Sequence, residues 1–230
     1  MAKSHRAPWT KIAAAALLTC SLGMTSAASA AVILTFGQTS NAPTITATNN
    51  SAQTQTIITG RDVAVTISQF AGGGAPITAF LNLNITNSAA AISFAGQVLQ
   101  PFSGTAAFTS LAGGGGINYL SAVFTDFVFG TLGGSSLTLS ASEPPGTVRF
   151  TSDLLSSSML STPRALSFGF ADVTGPAAIV GSTLRGFTSS ISGTVSAAEG
   201  TTVPEPVSLA LLGAGLASLG ALRGRRRVQA

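Results

Sequence analysis

The chain has 230 residues, 45% of them hydrophobic and only 8% charged, with a formal net charge of +4. Its one cysteine, one histidine and one tryptophan all fall in the first 20 residues, so downstream of them there is no disulfide, no Zn site of His/Cys type and no Cys or His nucleophilic centre. The basic excess is terminal too. Between Ala31 and Thr202 four arginines stand against six carboxylates, a balance of −2 that gives no case for a nucleic-acid partner.

Residues 1–30 read as a cleavable secretory signal peptide. Lys3, Arg6 and Lys11 make a basic start, an apolar run follows from Ile12 through Leu18 and fades towards Met24, and small residues close at Ala28-Ser29-Ala30. The basic end stays cytoplasmic while the apolar stretch enters the Sec translocon, and signal peptidase cuts after Ala30. The apolar run is well short of the roughly 20 residues that a membrane span needs. Leu17-Leu18-Thr19-Cys20 offers a rival reading as a lipoprotein box, in which Thr19 stands where a small residue belongs. With the cut after Ala30, the mature chain contains no Cys, His or Lys.

Residues 31–200 form the body, long enough for one domain. All thirteen phenylalanines lie in it, with Tyr119, and supply a core. Apolar residues recur at every second position in Val63, Val65 and Ile67, in Leu81, Leu83 and Ile85, in Leu166, Phe168 and Phe170, and along Phe187, Ile191 and Val195. Period two places each set on one face of a strand, with Ser, Thr, Asn and Gly on the other. Further strands are expected over 32–36, 44–48, 54–59, 92–99, 119–129, 137–141 and 147–151. Turn chemistry separates them at Gly72-Gly73-Gly74-Ala75-Pro76, at Gly113 to Gly116, at Gly133-Gly134 and at Pro144-Pro145-Gly146. No long helical period appears. About ten short strands so punctuated predict an all-β body, a two-sheet antiparallel β-sandwich of jelly-roll type.

Two segments break the pattern. Val123, Phe124, Phe127, Val128 and Phe129 are apolar on both parities, which predicts a strand buried on both faces. An aromatic ligand-binding strip is the other reading. Leu154 to Leu160 reads as a short helix or a loop.

A linker over 201–206 carries Val203-Pro204-Glu205-Pro206. An uncharged apolar run follows at 207–222, and the tail at 223–230 holds Arg223, Arg225, Arg226 and Arg227. Sixteen uncharged residues, mostly Leu, Ala and Gly, would rise roughly 24 Å as a helix, close enough to a ~30 Å hydrocarbon core for local thinning or snorkelling arginines to close the gap. The arginines hold the C-terminus in the cytoplasm by the positive-inside rule. This order of Pro-Glu-Pro, membrane helix and arginine cluster resembles the sorting tail of bacterial PEP-CTERM proteins. The resemblance covers about the last 25 residues. It implies that Pro204, Glu205 and Pro206 are a recognition motif for an exosortase, a membrane-embedded cysteine transpeptidase-like enzyme. That enzyme would cut near the motif and pass the body from the inner membrane to the cell surface, often beside exopolysaccharide production. A permanent single-span anchor is the plainer alternative.

The body names no catalytic, cofactor-binding or metal site. Asp126, Asp153 and Asp172 stand alone, without the dense acidic run of a Ca²⁺ loop, and read as loop carboxylates. No pair of acids presents itself for glycoside hydrolysis, and the serines lack a His or Lys base. The glycine runs lack the Lys and Ser/Thr of a phosphate loop. The sequence therefore points to a non-catalytic structural or matrix-associated surface protein. A carbohydrate-binding module is the alternative and a glycan-active enzyme a third. The module requires exposed aromatic rings, which Tyr119 or solvent-facing phenylalanines would have to provide.

Overall fold

The computed structural model describes residues 30–40 and 42–198. Thirteen strands follow one another: β1 (Ala30–Gln38), β2 (Ile45–Asn49), β3 (Thr56–Phe70), β4 (Ile77–Asn87), β5 (Ile92–Phe94), β6 (Gln97–Thr109), β7 (Asn118–Thr131), β8 (Leu137–Glu143), β9 (Thr147–Thr151), β10 (Arg164–Thr174), β11 (Ile179–Val180), β12 (Thr183–Leu184) and β13 (Phe187–Ala198). Neighbours pair antiparallel in the order β6-β4-β3-β1-β13-β10-β8-β7, and β7 returns to β6 along a register from Gln97↔Thr131 to Thr109↔Asn118. The sheet is thus a closed eight-stranded barrel.

The expected two-sheet sandwich is therefore corrected to a barrel. The alternation was read properly, since one face of each strand is buried, but a sandwich and a barrel bury one face alike. Closure comes from β6 and β7, whose lengths of 13 and 14 residues let them pair from end to end. The segment expected as one strand over 92–99 is a hairpin instead, turning at Ala95-Gly96, both at positive φ. The two strands expected over 54–59 and 63–67 are one, β3, with a bulge between Gly60 and Val63. Residues 154–160 form turns.

An eight-stranded barrel has an interior just wide enough for side chains to fill. Nine of the thirteen phenylalanines are buried, and Phe36 meets Phe108 edge-on at 4.7 Å and Phe168 at 5.6 Å, with Phe124 next to Phe168 at 6.2 Å. Gly193, on the inward parity of β13, lies beneath the Phe36 and Phe168 rings. The outer wall is largely Ser, Thr and Asn. An apolar inside and a polar outside are the reverse of a membrane-spanning barrel. Among the described residues no helix is long and apolar enough to cross a membrane. The helix expected over 207–222 lies outside them, as do the signal peptide and the Pro-Glu-Pro motif.

Both ends of the described body leave the same barrel end. Ala30 pairs with Ala198, so β1 begins where β13 finishes. This lower end also carries the loops after β3, β6 and β9. The upper end carries the β2–β3 turn, the β5–β6 hairpin and the β11–β12 hairpin. The β1–β13 seam lies four strands round the ring from the β6–β7 seam, on the opposite wall.

Candidate functional site

Four of the described carboxylates, Asp62, Asp126, Glu143 and Asp153, are occupied locally. Asp62 sits in the β3 bulge at φ 49°, where its Oδ1 accepts from the Gly113 N–H at 2.5 Å and from Asn82 Nδ2 at 3.1 Å. The Gly113 bond first, and the Asn82 bond second, hold its pKa below the ordinary 3.8. Asp126 accepts from Ser142 N at 3.2 Å, Asp153 from Asn118 N at 2.8 Å, and Glu143 from Arg164 Nη1 at 2.9 Å. Asp126 and Glu143 do meet at one seam, where β8 leaves β7 and β9 takes its place. Each bonds a group that closes that seam. Asp172 stands at positive φ beside the irregularity of β10. Among the described residues no three His, Cys, Asp or Glu side chains gather as metal ligands.

The outer wall at the upper end differs from the rest. Phe127 and Phe129 on β7 are 41% and 40% exposed, Ile92 and Phe94 on β5 are 55% and 78% exposed. These are large apolar residues where the strand alternation should place Ser or Thr. Register joins them into rows: Ile92, Leu99 and Phe129 in one, Phe94, Gln97 and Thr131 above it, Pro101 and Phe127 below. Val123, farther down β7, is 54% exposed opposite Arg149. The strand at 119–129 was expected to be buried on both faces, and this too is corrected. Leu120, Phe124 and Val128 enter the core, while Val123, Phe127 and Phe129 face out. Tyr119 packs edge-on against Phe70 at 5.9 Å, partly buried, and contributes no exposed ring.

Compared with known protein families, curated proteins and solved structures, the chain matches none.

Beside the rings an open cleft of about 410 Å³ is lined by Asn50, Gln55, Asn87 and Ser88 among others. Asn87 braces it: its Oδ1 accepts from Thr56 N at 2.8 Å and its Nδ2 donates to Thr54 O and Ala89 O. Below the cleft a buried polar knot fixes the rim. Gln100 Nε2 donates to Ala89 O at 3.0 Å and to Thr183 Oγ1 at 2.9 Å, while its Oε1 accepts from Leu184 N at 2.8 Å. Thr56 Oγ1 meets Thr183 Oγ1 at 2.5 Å and Leu184 O at 2.6 Å. These bonds tie β3, β6, the β11–β12 hairpin and the connection leading into β5. The rim is thereby held in one position, as a preformed contact surface must be.

Sequence reasoning singled out Phe127 and Phe129 with the wrong orientation and passed over Ile92 and Phe94. The available signal was their parity against Val98 and Gln100, legible only once the turn at Ala95-Gly96 is placed.

Proposed function

We propose that the chain is an exported protein of PEP-CTERM type, displayed at the cell surface or in the extracellular matrix, whose body is structural and non-catalytic. The observation that carries this reading is the shared exit of the two chain ends, Ala30 beside Ala198. A signal peptide removed after Ala30 would leave the mature chain starting within β1. A tail running through Pro204, Glu205 and Pro206 into a membrane segment at 207–222 would hold the body by its lower end, with Arg223, Arg225, Arg226 and Arg227 as the cytoplasmic stop. The opposite end would then face outward. Signal peptidase, the Sec translocon and an exosortase are the implied processing partners, and exopolysaccharide the implied surroundings. The commitment of Asp62, Asp126, Glu143 and Asp153 to backbone and arginine partners supports the non-catalytic part.

The test is the intact mass of the protein recovered from surface and membrane fractions of its host. Loss of residues 1–30 together with everything beyond the Pro-Glu-Pro region is the expected result. A chain still ending at Ala230 in the inner membrane refutes the sorting reading and leaves a tethered protein.

A further inference from the structure

We propose that the upper rim is a binding site for a neutral polysaccharide, with the exposed rings of Phe94, Phe127 and Phe129 stacking on sugar faces and the amide-lined cleft binding hydroxyls. This rests on the surface-display reading and names the ligand of that surface.

Three observations carry it. The rings and aliphatic side chains of Ile92, Phe94, Leu99, Pro101, Phe127 and Phe129 adjoin one another on three paired strands, in a protein whose other outward faces are mainly hydroxyl and amide. Their cross-strand neighbours Gln97, Thr131, Thr138 and Ser140 are all uncharged, so the patch offers nothing to an anionic or cationic partner. The cleft continues the patch through Ser88 to Ala90, which lead directly into β5, and it brings exposed Gln55 and Ser88 as donors and acceptors. A pyranose has apolar C–H faces and a hydroxyl edge, and this alternation of ring and amide matches both.

The geometry disfavours a second copy of the chain. The patch spans two inter-strand gaps of ~4.8 Å and two residue pairs of ~6.8 Å, a footprint of roughly 200–300 Å² with side chains. A stable protein interface needs about 800 Å² from each partner, and two convex barrel walls meet along a narrow line. A sugar chain can follow the curve. Extension of the sheet through β5 is also limited, because β5 has three residues and the preceding Ala91 N–H is already bonded to Ser182 O.

The experiment is affinity electrophoresis of the mature protein, recovered from its host, through gels containing the neutral or the acidic polysaccharide fraction of that host's matrix. The expected result is retardation in the neutral fraction, weakened at least tenfold in the variant Phe94→Ala/Phe129→Ala. Val32→Ala, an exposed apolar residue on the opposite wall, should match the parent. Thermal melts of the variants check folding, which truncation of such exposed rings should spare. No retardation in the neutral fraction, retardation indifferent to the ring variants, or retardation only in the acidic fraction overturns the proposal. So does a dimer in solution that Phe94→Ala/Phe129→Ala dissolves, which would make the rim a self-contact. Mass analysis of the same preparation reads sorting separately, so failure of display and failure of glycan binding are told apart.

Discussion

Gly193 is where the barrel core has least room to give. A methyl group there would lie 2.5 Å from Ser167 O, 2.7 Å from Phe168 Cδ1 and 2.8 Å from Phe36 Cε1. The two rings are themselves fixed edge-on by Phe108 and Phe124, and Ser167 belongs to the adjoining strand, so neither side yields cheaply. Gly193→Ala should cost about 3 kcal/mol, the upper range of overpacking in a filled core. In a body of this size that lowers Tm by about 6–12 °C. Gly169→Ala is the control. It sits one strand away on the outward parity, where a methyl would meet only Ser192 Oγ at 3.8 Å; it should be neutral or stabilising by about 0.5 kcal/mol through the unfolded chain. Adding Phe36→Leu to Gly193→Ala should restore part of the loss, so the two changes together cost less than their sum. Differential scanning fluorimetry with an extrinsic dye, supported by urea titration, measures the parent, Gly193→Ala, Gly169→Ala, Phe36→Leu alone and the double variant. A Gly193→Ala melt within about 2 °C of the parent would refute the ring-over-glycine account of the core.

Asp62 gives the pH dependence. Its folded pKa is lowered, so its stabilisation is complete above 3.8 and is lost as pH falls below that value through the folded one. Asp62→Asn should therefore flatten the acid limb of a urea-midpoint profile between pH 5 and pH 2, and parallel profiles for the two proteins would contradict this. At the β8–β9 seam, Arg164→Lys should cost about 2 kcal/mol by urea titration, because one ammonium cannot span Leu160 O, Glu143 Oε2 and Val148 O as the guanidinium does. Glu143→Gln keeps an acceptor for that arginine and should cost under about 1 kcal/mol. Ser189 is the opposite case: its hydroxyl is buried with no partner among the described residues. Ser189→Ala should be neutral or stabilising by about 1 kcal/mol in the same titration, and a loss of that size would mean the hydroxyl has a role.

Much of the wall was legible in the sequence, because alternation survives whatever the strands pair with. Val63 to Ile67, Leu81 to Ile85 and Leu166 to Phe170 point inward as their spacing predicts. Closure was not legible. It depends on which strands meet, and no residue of β6 or β7 announces that they pair over their full length. Residues 100–109 in particular show weak alternation, since Gly104 and Ala106 occupy inward positions where larger side chains would mark a strand. A side chain at Gly104 would strike the backbone of Asn84 and Ile85, so the small residue is a requirement of close strand approach. The candidate rim was half legible: the double-parity run at 123–129 flagged an anomaly, and burial was the natural reading of it until the register turned Phe127 and Phe129 outward.

The miscount of strands has a physical origin that bears on the rim. Three positions in the barrel wall are each built from two strands in line: β1 and β2 between β13 and β3, β4 and β5 along β6, β8 and β9 along β7. At each break the chain detours and polar side chains restore lost bonds. Gln38 accepts from Thr44 Oγ1 and Ile191 N at the first, Asn87 braces the second, and Arg164 with Asp126 closes the third. A long polar side chain can satisfy backbone groups that a broken ladder leaves open, and Gln38, Asn87, Arg164 and Asp126 each do so at these breaks. The second break has the largest consequence. The detour at 88–91 ends β4 at the rim and lets β5 continue along β6 beyond the end of β3, so that Ile92 and Phe94 have no neighbouring strand to cover them. The exposed rings and the amide cleft thus arise from the same interruption, and Asn87, which holds it open, positions both.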